Sequence, residues 1–211
     1  MNTSAIDSIE LLIYHLDRWS NVPPVLARFF NTLSYLEHIG SRKILACKID
    51  FGEEQLRHAA EETRHALRFK EMSRTLVPTT IDNYLPESLL GGTAAFSYFQ
   101  RLDAMVRAFL ERKTLMPVPI LSYLLVTYIV ETRAASLYPK LQAFVEERRL
   151  PISLKSIIAE ENRHLDDIEA SMAATNLIDK DELEALLSNE ENFFRSFVHR
   201  VIELGDKVLL D

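Results

Sequence analysis

The string Ala60-Glu61-Glu62-Thr63-Arg64-His65 returns 99 positions later as Ala159-Glu160-Glu161-Asn162-Arg163-His164, with five of the six residues identical. Each copy contains Glu-x-x-His. On a helix, residues three apart share a face, so Glu62 with His65, and Glu161 with His164, each form a pair of donors pointing one way. Two such pairs, brought together, can hold a pair of metal ions. Doing so would require two distant helices to stand face to face.

The surrounding sequence supplies the helices. Among 211 residues only five are glycine and 47% are apolar, ample for a core. No segment shows convincing strand alternation, so an all-α fold is expected. The spacing predicts helices over Ile6–Trp19, Val25–Lys48, Glu53–Thr75, Ala94–Arg112, Pro119–Arg148 with a kink at Pro139, Ser153–Thr175, and one or two helices from Asp179 to the C-terminus. Asp50 with Glu53, and Asp179 with Glu182, have capping-box spacing. Val77–Gly92, with two prolines and a Gly-Gly pair, reads as loop. Short turns join Val25–Lys48 to Glu53–Thr75 and Pro119–Arg148 to Ser153–Thr175, which makes each pair an antiparallel hairpin. The long Val77–Pro117 connection separates them. One domain over 1–211 is expected, with core hairpins at about 25–75 and 119–175.

Each hairpin offers one more carboxylate opposite its motif. Glu37 lies 25 positions before Glu62 and Glu131 lies 30 before Glu161, and both intervals fold near a predicted turn. Glu131 is also the first charge after the 17-residue uncharged run Thr114–Val130. A buried carboxylate is very costly unless paired or metal-bound. The expected ligands are Glu37, Glu62, His65, Glu131, Glu161 and His164. Four carboxylates balance two dications, and hard oxygen donors with little nitrogen suit iron or manganese. Two iron ions, or a manganese–iron pair, are the expected cofactor.

These residues resemble the ligand pattern of the ferritin-like di-iron carboxylate superfamily. The resemblance covers roughly Val25–Thr75 and Pro119–Thr175 and implies a four-helix bundle of two antiparallel hairpins with a long crossover and flanking helices. More narrowly, the paired motifs resemble the (Asp/Glu)-Glu-x-Arg-His pattern of soluble acyl-carrier-protein desaturases and bacterial multicomponent monooxygenases. That implies oxygen activation, with Glu61 and Glu160 accepting the distal N–H of a ligating imidazole and Arg64 and Arg163 steadying those carboxylates. The plain alternative is surface pairing of each Glu with its own Arg. In size the chain is similar to tRNA-hydroxylase-like and rubrerythrin-like members. His58, one turn before Glu62, reads first as a packed or exposed histidine. The arylamine N-oxygenases resemble this chain in having such a residue, and there it is an additional ligand.

Leu33, Gly40, Ser41, Leu124, Tyr128 and Ile157 are the candidates for lining a substrate pocket. Tyr35 and Tyr138 also fall near the ligands, with no catalytic role assigned. The Phe193, Phe194, Phe197, Val201 stripe reads as core or as a dimer surface. The expected activity is a di-iron oxygenase or oxidase acting on dioxygen and a small organic substrate. With one cysteine, electrons must come from an external donor or from the substrate. A ferroxidase, peroxide-scavenging or iron-handling protein is the alternative, and a metal-stapled interaction module a third. The net charge of −7 disfavours nucleic acid and anionic membrane as partners. The lone cysteine and the absence of signal-peptide organisation suit the cytoplasm.

Overall fold

The computed structural model describes residues 7–47, 52–77, 81, 83–113, 119–175 and 178–209, and their regular structure is helical. In chain order the helices are α1 (Ser8–Arg18), α2 (Pro23–Ala46), α3 (Glu53–Leu76), α4 (Gly92–Lys113), α5 (Pro119–Glu147), α6 (Lys155–Thr175) and α7 (Lys180–Val208). A 3-10 turn, Pro86–Ser88, lies in the connection before α4. The segment from Asp179 onward is one helix, not two, and its capping box closes in both directions between Asp179 and Glu182. The proposed Asp50 cap lies outside the described residues. Helix α3 opens instead at Gly52, whose amide donates to Gln55. Ile6, Lys48 and Pro117, which bounded other expected segments, also lie outside the described residues.

Small residues set the register of the first hairpin. Ser73 donates its hydroxyl to the Ala27 carbonyl at 2.7 Å, Ser34 to Ala66 at 2.6 Å, and Ser41 to Ala59 at 3.1 Å. Each step is seven residues forward on α2 and seven back on α3, so the helices run antiparallel in a heptad register. The side chains at these crossings are alanine and serine, which allow the backbones to approach closely. That register brings Glu37 level with the turn of α3 that carries Glu62.

The second hairpin closes differently. Helix α5 ends with Arg149 at φ 53°, and the amides of Arg149 and Leu150 reach back to the carbonyls of Glu146 and Val145. This is the Schellman pattern. Gln142, still on α5, then accepts the Leu154 amide at 2.6 Å and so caps the start of α6. Helix α5 is long and apolar enough to cross a bilayer, but half of its most apolar stretch is buried within the molecule.

The connection between hairpins is tied down by polar side chains of α2. Asn31 donates to the Ser88 carbonyl, and the Thr32 hydroxyl accepts the Leu90 amide. Helix α4 then packs against α2 and α5, and α7 covers α4 and α1. Phe194, Phe197 and Val201 are buried in the main core with Tyr98 and Phe99 of α4, which resolves that stripe as core. Trp19, fully buried, donates its indole N–H to Asp206.

Candidate metal centre

Helix periodicity turns Glu37 of α2, His58, Glu62 and His65 of α3, Glu131 of α5, and Glu161 and His164 of α6 into one buried volume. None of the seven exposes more than 7% of its surface. Their donor atoms form two groups, each compact enough to surround one ion. Glu37, Glu62, His65 and Glu161 make the first; His58, Glu62, Glu131 and His164 make the second. Within each group the donor atoms lie within 4.8 Å of one another, and Glu62 belongs to both.

The imidazoles are oriented by both ring nitrogens. His65 Nδ1 points inward, 2.8 Å from Glu161 and 3.7 Å from Glu62. His164 Nδ1 points inward too, 3.3 Å from Glu161 and 3.4 Å from Glu62. Their outward nitrogens meet the acids that precede the ligand glutamates, crosswise between copies. His65 Nε2 lies 2.8 Å from Glu160, and His164 Nε2 lies 2.7 Å from Glu61. Arg64 donates to Glu160 at 2.7 Å and Arg163 to Glu61 at 2.6 Å. Surface pairing of each Glu with its own Arg is thus the minor contact: Arg64 lies 3.7 Å from Glu61. The crossed braces hold each Nε2 on an outer carboxylate and turn Nδ1 toward the cluster, the orientation a ligating histidine needs.

His58 is packed rather than exposed, and its ring belongs to the second donor group. Its Nε2 lies 3.2 Å from Glu131 and 3.4 Å from Glu62, while its Nδ1 is held at 2.9 Å by the Tyr123 hydroxyl. Tyr138 donates its hydroxyl to Glu37. Tyr123 and the Glu37 contact of Tyr138 escaped sequence reasoning. A tyrosine in an apolar run reads as core until the partner helix is known.

The cluster gathers four buried carboxylates around three imidazoles. Burial, then the charges of Glu62 and Glu161, push Glu37 well above the ordinary carboxylate range. Burial and Glu131 raise Glu161. Burial also pushes Glu131 up, but hydrogen bonds with Glu161, His164 and His58 outweigh it and hold it down. Burial opposes charge on the imidazoles, yet the carboxylates override it and lift His58 and His65 to about 9 and His164 to about 11. Glu62 Oε1, His65 Nδ1, Glu131 Oε2 and Glu161 Oε1 are buried without a hydrogen-bond partner among the described residues. Such orphans are rare in folded chains. Oxygen-rich donors, shared charge and unsatisfied inward atoms fit hard or borderline dications, so this cluster could hold metal.

Two cavities reach its glutamates, and a third, about 20 Å³, touches His58 and His164. The larger, about 290 Å³, reaches Glu62, His58 and Glu131 and is walled by Gly40, Phe99, Val126 and Val130. The smaller, about 60 Å³, touches Glu37, Glu62, Glu131 and Glu161 from the side of Leu33, Ala134 and Leu137. Of the expected pocket residues, Leu33 and Gly40 therefore face cavities. Ser41 is turned away, bonded to Ala59 and Thr63. Leu124 and Tyr128 pack in a separate cluster with Ile44 and Ile168, and Ile157 joins the main core. Leu124 and Ile157 are buried there, and Tyr128 is partly exposed. Phe99 and Asp103 of α4, which do line the larger cavity, were missed because the crossover carries no repeat. Comparison with protein-family models, curated proteins and solved structures finds no match to this chain.

Proposed function

We propose that this chain is a ferritin-like, non-haem di-iron oxidoreductase that activates dioxygen to oxidise a small organic substrate. One observation carries the reading: two buried four-donor groups share Glu62, with orphaned atoms of Glu62, His65, Glu131 and Glu161 turned inward. The α2–α3 and α5–α6 hairpins, separated by a crossover that contains α4, support the ferritin-like assignment.

Glu37, His65 and Glu161 would hold one ion and His58, Glu131 and His164 the other, with Glu62 between them. When bound, a ferrous pair supplies two electrons to dioxygen at one place. The remaining work belongs to the chain. Glu160 with Arg64, and Glu61 with Arg163, fix the tautomer and ring angle of His65 and His164. Tyr138 steadies Glu37, and Tyr123 keeps His58 Nε2 aimed at the cluster. Phe99, Val126 and Val130 keep water from the face where substrate would lie. The larger cavity, ending on Glu62 and Glu131, favours substrate oxidation over an iron-handling role.

The test is anaerobic loading with ferrous ion, with iron and manganese counted per chain, followed by oxygen exposure under optical and Mössbauer observation. Two ions per chain and oxygen uptake that depends on an organic substrate are expected. Stoichiometric ferrous oxidation with progressive iron accumulation would place the chain among ferroxidases instead. Refusal of a second ion would remove the di-metal reading.

A further inference from the structure

The larger cavity has a mainly apolar wall, into which Ser122, Tyr123 and Thr127 also reach, and carries charged groups at two places. Ile44, Ala46, Phe99, Val126 and Val130 form the apolar wall. One polar place is the metal-facing group of Glu62, His58 and Glu131. The other is the ion pair of Lys43 with Asp103. Helix geometry puts these groups in line. Lys43 lies one turn beyond Gly40 on α2, and Asp103 one turn beyond Phe99 on α4. Gly40 and Phe99 both touch the wall next to Glu62. The ammonium also lies 5.8 Å from the Phe99 ring centroid.

The pair is asymmetric. The Lys43 side chain is 25% exposed and Asp103 is 40% exposed. Burial lowers the Lys43 ammonium below its usual value, so that charge needs a partner where it stands. Asp103 is the partner more open to solvent, and its loss to water costs little. An incoming anion can replace it at Lys43, whereas an incoming cation at Asp103 would strand the more buried charge.

We propose that the larger cavity is the substrate chamber and that Lys43 reads a carboxylate head group, so that the substrate is a small acid with an apolar body directed at Glu62 and Glu131. The volume suits a body of roughly ten non-hydrogen atoms, taking liquid water's share of volume as the measure. As a statement about substrate this rests on the di-iron reading; as a statement about binding it does not. The test therefore uses chelator-treated, metal-free protein.

Calorimetric titration compares octanoate and 3-phenylpropanoate with the amine and alcohol of each carbon skeleton. The acids are expected to bind at least about tenfold more tightly than the amines and alcohols, as a charged hydrogen bond allows. Lys43→Met is expected to weaken acid binding about tenfold, Lys43→Arg to retain it, and Asp103→Asn to tighten it about two- to fivefold as the competing carboxylate is lost. Circular dichroism checks that each variant folds. Equal binding of acid, amine and alcohol, acid binding untouched in Lys43→Met, or no acid binding in the folded wild type would each overturn the proposal. A chain that binds acids through Lys43 but takes up no iron would defeat the di-iron reading and leave the chamber standing.

Discussion

Glu62 differs from every other acid in the cluster because it alone belongs to both donor groups. A group that serves two ions cannot be removed from one. Glu62→Ala is therefore expected to abolish tight binding of both ions, whereas Glu37→Ala keeps one; metal analysis of chain reloaded with ferrous ion distinguishes the two. Glu61 and Glu160 act one step out, through the far nitrogen of an imidazole from the other copy. Glu61→Ala and Glu160→Ala should each lower metal affinity about 10–100-fold. Far-ultraviolet circular dichroism should remain that of the wild type, since both acids sit at the edge of the buried cluster. Competition with a chelator of known affinity measures the first effect. That these acids brace the far nitrogen of an imidazole was implied by the family resemblance. The crossing between copies was not, because no local spacing says which partner helix faces which histidine.

Elements carry their own instructions to different degrees. The Asp179–Glu182 capping box forms as its spacing predicts, because both partners lie within one turn. The end of α5 was less legible. Arg149 occupies the left-handed slot of a Schellman turn where glycine is the usual residue. A side chain there costs about 1 kcal/mol, so Arg149→Gly should stabilise the chain by up to about that amount, seen as a higher urea midpoint with an unchanged slope. The register of α2 on α3 lay in plain view as alanine or serine at 27, 34, 41 and 59, 66, 73. It becomes meaningful only when the hydroxyls of Ser34, Ser41 and Ser73 are seen to cross to the facing carbonyls.

At the scale of the whole molecule, α4 and α7 cover one side of the two hairpins, and α1 packs on α5 and α7. Trp19 follows α1 and lies against Gly205 of α7 so closely that a Cβ there would sit 2.4 Å from the indole ring. Gly205→Ala should destabilise the fold by about 1–3 kcal/mol, despite the better helix propensity of alanine, which returns at most about 1 kcal/mol. Thermal melts should show a fall of several degrees, at about 2–4 °C per kcal/mol for a chain of this size. Helix α4 closes one side of the larger cavity through Phe99 and Asp103.

The sequence by itself determined the all-helical class and singled out six candidate donors, because periodicity, capping and short turns are local and the Glu-x-x-His motif repeats. Tertiary structure alone decided that Glu62 is shared, that His58 faces the cluster on the support of Tyr123, and that α4 closes one side. Those depend on which faces of distant helices meet, and a contact between helices leaves no period in either of them.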